Sequence, residues 1–382
     1  MMKKKRFLFS LLIAGFLAST LSCNFVLEED EATAWNTAKP LKDIYNYNFL
    51  MGNVISPGDL GTVRFSILKR HYNSATAEND MKPDAIAPGS KPADGWPWPY
   101  RYTQTDNKID KIVDAVNAAG MKMHGHTLIW HRQTPSWLTT GNRETVLANL
   151  EKYVTDVTTY FEGRVISWDV VNEAMRDGLS ASDAGNWRSC LRTDSPWYRA
   201  IGSDYIEKAF LAARKADPKA ILFYNDYNLN SNTGNGKPEA VFNMVKDINT
   251  RYPNVEGRPL IDGIGMQSHH HLNTTPQSVE VSIKSFIKLG VKIAISEMDI
   301  MASKSDDNNL TNEWNEDAAQ RQAEKYAAMF RIFKNHAGYI SRVTFWGLDD
   351  GKSWRASSHP TLLDKNYGLK PAFRAVAKPD NY

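Results

Sequence analysis

Two glutamates finish runs of apolar, β-branched residues. Glu173 closes "VISWDVVNE" and Glu297 lies near the end of "VKIAISEMD". Two carboxyl groups flanking a glycosidic bond can hydrolyse it, one protonating the departing oxygen and the other attacking, or activating water at, the anomeric carbon. The uncatalysed reaction is so slow that ~15–20 kcal/mol of barrier must be removed, and a lone acid worth ~10²–10⁴-fold does not supply that. Other polar groups must surround the pair. The candidates are the polar residues that end other apolar runs: Glu78 and Asn79, His126, Asn172, Asn225 and Asp226, Gln267 and His269, Asp299, and Trp346. One such residue is ordinarily a turn cap. A whole set of them, each closing a different run, points to one shared site.

The elements that would position these groups recur along the chain. "NFLMGNVI", "YNSATAEN", "MKMHGHTLIW", "VISWDVVNE", "AILFYND", "LIDGIGMQ", "VKIAISEMD" and "RVTFWGL" have the composition of buried strands. Helical segments lie between them. "TDNKIDKIVDAVNAAG" offers Thr105 or Asp106 as N-cap and Gly120 past its end, and "IEKAFLAARKADP" is stopped by Pro218. Strand-then-helix units repeated through residues 41–382, with no Pro- or Gly-rich linker, predict a single catalytic domain of the α/β class, a (β/α)8 TIM barrel. In that fold the C-terminal strand ends converge on one face, so the scattered polar residues would meet there.

"TAENDMKP", "GHTLIWHRQTPSWL", "WDVVNEA", "GIGMQSHH", "ISEMDI" and "TFWGLDDGKSW", in this order over roughly residues 41–378, resemble the signatures of glycoside hydrolase family 10 endo-β-1,4-xylanases. Met298 stands where that family often has Leu. The resemblance implies a retaining endo-xylanase with Glu173 as acid/base and Glu297 as nucleophile, needing no cofactor. It also implies that Glu78, Asn79, Lys82, His126, Trp130, Gln133, Asn172, Gln267, His269, Trp346 and Trp354 line the sugar subsites. The implied partners are xylan and xylo-oligosaccharides, bound by a monomer.

Each role has a physical basis. Asn172 can bond a sugar 2-hydroxyl, a contact that tightens as the ring becomes oxocarbenium-like. His269 and Asp299 can form an imidazole–carboxylate chain that orients Glu297 and keeps it ionised. Lys82 and Glu78 can make charged hydrogen bonds to hydroxyls, and Trp130, Trp346 and Trp354 can present apolar faces to pyranose rings. The rival chemistry is metal hydrolysis, because His124, His126, His131 and the run His269–His271 supply imidazoles. The motifs account for His126 and His269 without a metal, leaving His124, His270 and His271 as packing or loop residues, so no metal site is expected. A non-catalytic glycan-binding barrel is a third reading. The presence of both glutamates speaks against it.

Composition narrows the partners. The chain has 382 residues, 42% hydrophobic and 11% aromatic, with Lys+Arg 46 against Asp+Glu 43 and a formal net charge of +3. That near balance, with no basic stripe beyond the first residues, argues against nucleic acid and for an uncharged partner. Lys3–Arg6 followed by apolar Phe7–Leu21 reads as a signal peptide over residues 1–22. "TLSCN" resembles a lipobox, with Thr20 in place of the usual Leu, so Cys23 is the expected lipidation site and residues 23–40 a lipidated tether. The expected location is an exported outer-membrane lipoprotein, at the cell surface or in the periplasm, held to the membrane by its N-terminal lipid. Cys190 would then be a lone thiol.

Overall fold

A computed structural model describes residues 34–93, 97–102, 108–231, 234–302 and 314–382. The signal peptide, Cys23 and most of the tether lie outside the described residues, as do Thr105 and Asp106.

Eight parallel strands form the core: β1 Leu50–Ile55, β2 Ser74–Ala77, β3 Lys122–Trp130, β4 Ser167–Asn172, β5 Ile221–Asp226, β6 Gly263–Met266, β7 Lys292–Met301 and β8 Ile340–Phe345. Each pairs with the next, β6 pairs with β7, and β8 returns to β1, so the sheet closes. A helix follows each strand: α1 Val63–His71, α2 Ile109–Ala118, α3 Arg143–Tyr160, α4 Tyr205–Ala216, α5 Lys237–Arg251, α6 Pro276–Ile287, α7 Glu316–Asn335 and α8 Pro371–Ala377. The chain is thus one (β/α)8 barrel.

Local chemistry sets several boundaries. Asn142 and Asn315 accept hydrogen bonds from the third residues of α3 and α7, both at 2.9 Å, and Pro opens α6 and α8. Gly120 follows α2 at φ +73°, a backbone shape that costs glycine little. The helix itself starts at Ile109 without a side-chain cap from Lys108.

The strands are buried nearly end to end, as a sheet enclosed by helices requires. On both faces of the sheet, close approaches demand glycine. A Cβ on Gly265 would come within 2.2 Å of Asn225 Oδ1, and one on Gly125 within 2.1 Å of the Trp168 ring. Gly265 therefore makes room for the Asn225 side chain.

One strand expectation needs correction. Gln267 and His269 do not terminate β6, which stops at Met266. Ser268 takes a left-handed backbone, φ +62°, and His269–His271 restart as a short strand paired parallel to the end of β7. His124 is not simple packing either. It sits in the barrel interior, bonded to Ser167 Oγ at 2.7 Å and to Arg342 at 2.6 Å.

Among the described residues no helix is long and apolar enough to cross a membrane.

Candidate active site

Glu173 follows β4 directly in a left-handed conformation, φ +56°, which costs a non-glycine residue roughly 1–2 kcal/mol. Its neighbours hold it there. The amide donates to the Asn225 carbonyl at 2.8 Å, and the carbonyl accepts from Arg192 Nε at 3.0 Å. Turned out of the strand in this way, the carboxyl group meets Trp130 Nε1 at 2.8 Å and Gln267 Nε2 at 2.9 Å, with His131 Nδ1 4.0 Å away.

Glu297 remains within β7 and is more enclosed, its side chain 7% exposed against 14% for Glu173. Its Oε1 accepts from Asn225 Nδ2 at 2.8 Å, and its Oε2 lies 3.4 Å from His269 Nε2. The short strand sets His269 beside Asp299 in register, with Nδ1 3.0 Å from the carboxylate. Trp354 Nε1 and Arg355 Nη1 bond the same aspartate at 2.9 and 3.3 Å.

Amides link the two glutamates. Asn225 Nδ2 donates to Glu297 and, at 3.0 Å, to Asn172 Oδ1, while Gln267 Nε2 reaches both Glu173 and Asn172 Oδ1, the latter at 3.3 Å. Ser296 Oγ donates to Asn225 Oδ1 at 2.6 Å and so fixes which way that amide faces.

Electrostatics separates the groups. Burial works to raise the Glu297 carboxyl, but the His269 hydrogen bond and the charges of His126 and His269 bring it below the ordinary glutamate value. Burial opposes the His269 imidazolium, yet Asp299 and Glu297 raise that ring to about 9. Asp299, likewise buried, is lowered by His269 and then by Arg355. Burial pushes Lys82 down, an effect opposed by Glu297, Glu78 and Glu173, and it pushes Glu78 up.

Most of the other residues named from sequence fall in three groups. Lys82 is buried, bonds Asn79 Oδ1 at 2.8 Å and lies 5.0 Å from the Trp130 ring centroid. His126 packs edge-on against Trp346, 5.2 Å between centroids, and bonds Asp169 at 2.9 Å. Trp354 is half exposed and stands edge-on to His269 at 4.9 Å. Gln133 stands apart: the residue is exposed, and its carbonyl accepts a main-chain bond from Asp84 at 2.8 Å. Sequence reasoning gave no role to Asp169, Arg192, Ser296 or Arg355. It marked Asn225 only as a strand end and His131 only as an imidazole. The signal for Asn225 was present, since it lies one residue before the end of β5 and pairs with Asn172 at the end of β4.

Among the described residues no group of three or more His, Cys, Asp or Glu is arranged to hold a metal ion. Both ring nitrogens of His269 are already occupied by carboxylates.

A closed parallel barrel with two differently held carboxyl groups at its C-terminal strand ends is the architecture of a glycoside hydrolase. Residues 40–379 match the model of glycosyl hydrolase family 10, and the chain belongs to that family, as a glycoside hydrolase of the endo-1,4-β-xylanase type. It is 37% identical over 381 residues to the beta-1,4-xylanase of Dictyoglomus thermophilum, covering 97% of this chain and 98% of that protein. It is 35% identical to the endo-1,4-beta-xylanase of Geobacillus stearothermophilus, covering 88% and 97%. The chain spans 31% of endo-1,4-beta-xylanase A from Thermotoga neapolitana, with 37% identity over 89% of its own length. Among solved structures, a GH10 xylanase with a bacterial Ig-like domain from termite gut superposes with a TM-score of 0.82 at 34% identity, covering 91% of this chain and 78% of that one. The intracellular xylanase of Thermoanaerobacterium saccharolyticum gives 0.75 at 34% identity, covering 89% and 99%, and a mutant of it was solved with xylotetraose.

Proposed function

We propose that the protein hydrolyses internal β-1,4 bonds of xylan by a retaining double displacement. The observation that carries this is the contrast between the two carboxyl groups: Glu297 is lowered and held by Asn225 and His269, whereas Glu173 is turned out of its strand toward Trp130 and Gln267. Glu297 attacks the anomeric carbon while Glu173 gives its proton to the leaving oxygen. Water then attacks the glycosyl-enzyme, Glu173 takes its proton, and Glu297 leaves. With Asn172 Oδ1 already occupied by Asn225 and Gln267, its NH₂ is the end that meets the 2-hydroxyl. Glu78, Asn79, Lys82, His126, Gln133 and Gln267 bind hydroxyls, and Trp346 and Trp354 carry ring faces. Trp130, whose N–H bonds Glu173, adds orientation of the acid/base to its subsite role.

The expected products are short xylo-oligosaccharides, with weaker action on aryl cellobiosides because the space beside Trp354 would crowd the extra hydroxymethyl group of glucose. Rates on xylan, mixed-linkage glucan and cellulose under matched conditions, with and without chelator, test this reading. Faster turnover of either glucan, or loss of activity to chelator, would overturn it.

We further propose that the chain is an exported lipoprotein attached through Cys23, which stands after the apolar Phe7–Leu21 stretch. Cys23→Ser should move the protein from the membrane to the soluble fraction at unchanged specific activity. Equal membrane retention would count against lipidation.

A further inference from the structure

Two histidine–aspartate pairs converge on Glu297, and each has a buried arginine behind it. In the first, His269 Nε2 is 3.4 Å from Glu297, its Nδ1 is 3.0 Å from Asp299 Oδ2, and Arg355 Nη1 is 3.3 Å from Asp299 Oδ1. The second lies deeper in the barrel. His126 Nδ1 is 2.9 Å from Asp169 Oδ2, and Arg342 Nη2 is 3.7 Å from Asp169 Oδ1. Strand register builds this pair, since His126 on β3 sits opposite Asp169 on β4.

Neither arginine is an ordinary surface cation. Arg342 is 2% and Arg355 8% exposed. Among the described residues Arg355 Nε and Arg342 Nε and Nη1 have no hydrogen-bond partner. A buried guanidinium with unmet donors contributes little net stability, so its place here asks for a use other than stability. Each is placed to supply positive charge at the far end of a chain that leads to the reacting carboxylate.

We propose that Arg355 and Arg342 are positioning residues for Glu297: Arg355 holds Asp299 and through it orients His269 beside the glutamate, while Arg342, bonded to His124 at 2.6 Å and 3.7 Å from Asp169, adds positive charge that keeps Glu297 ionised. This rests on Glu297 being the nucleophile. The charged groups acting on Glu297 are Lys82, His126, His269 and Arg342, which favour its ionised form, and Asp169, which opposes it. Removing Arg342 weakens the favourable side directly, and removing Arg355 weakens it through Asp299 and His269. Protonation of Glu297 then begins at higher pH.

The test is the pH dependence of inactivation by a dinitrophenyl fluoro-xylobioside, a reagent that labels the nucleophile and whose leaving group needs no acid. Peptide mapping identifies the labelled residue. Arg355→Met should move the acid limb of inactivation upward by about one unit, while Arg355→Lys, which keeps the charge, should leave it near wild type. Arg342→Met should move it in the same direction. The Arg355 guanidinium also stacks 4.3 Å over the Trp354 ring. If it served only that ring, Met and Lys would raise KM alike and neither would move the limb, a result that overturns the proposal. A label on a residue other than Glu297 would instead defeat the nucleophile assignment. Melting temperatures of the Met and Lys variants show whether each is folded, and because Arg355 lies outside the barrel interior its pair decides the matter even if Arg342→Met does not fold.

Discussion

Glu173 and Glu297 are the same residue type at the ends of parallel strands, yet their surroundings differ. Glu297 stays within β7, where the pairing with β8 shifts register between Ile295 and Met298, meets the Asn225 amide and His269, and is lowered below the ordinary glutamate value. Glu173 is thrown out of β4 by a left-handed backbone and is held by two neutral donors, the indole of Trp130 and the amide of Gln267. The difference teaches that one fold can give one side chain two environments by choosing its partners, and the two proposed roles rest on that difference. A cation behind a carboxylate favours its ionised form, whereas the indole and amide donors at Glu173 bring no charge to it.

The sharpest break of this contrast is removal of the better-held partner. Glu297→Ala should lower turnover by roughly 10⁵-fold or more for every substrate, whatever its leaving group, because no other group attacks the anomeric carbon. Comparable residual rates on xylan and on a dinitrophenyl xylobioside would fit this. A substantial rate on the activated substrate alone would not.

A smaller effect should follow from breaking the link between the two sides. Asn225→Ala removes the donor shared by Glu297 and Asn172 and leaves Ser296 Oγ without its acceptor. Mislaid first-contact groups cost about 10²-fold, and the loss should appear in kcat more than in KM. A rise in KM alone would mean that Asn225 only shapes the cleft.

The smallest effect concerns pH. His269 is raised from 6.5 to about 9, so its ion pairs stabilise the folded protein fully below pH 6.5, and that contribution fades as pH rises through about 9. Above that pH Glu297 also loses a charged donor, worth roughly 3- to 10-fold in rate. Melting temperature and kcat/KM measured between pH 6 and pH 10.5 should both decline across this window. A flat profile would remove His269 from the account.

Much of the frame was legible because periodicity is local. Each apolar run quoted from the sequence contains or overlaps one barrel strand, and closure follows from eight repeats of a unit that buries one face. Polar strand ends marked the mouth. The wiring between residues was less visible. Asn225 meets Glu297 across 72 residues and Arg342 meets His124 across 218, distances over which no spacing pattern speaks. Ser268 likewise carries no sequence mark of the left-handed turn that resets His269 onto β7. Asp169 was hidden for another reason: a polar residue within a buried run has no face to declare until the facing strand is known.

The central claim, that Glu297 attacks and Glu173 exchanges the proton, is tested most directly by azide with the Glu173→Ala variant. That variant should lose about 10²–10⁴-fold on xylan yet still form the glycosyl-enzyme from a dinitrophenyl xylobioside in a burst, since that leaving group departs unprotonated. Azide needs no general base and can enter the space vacated by the side chain, so it should restore steady turnover and yield the β-xylobiosyl azide. An α-azide, or rescue of Glu297→Ala instead, would contradict the assignment.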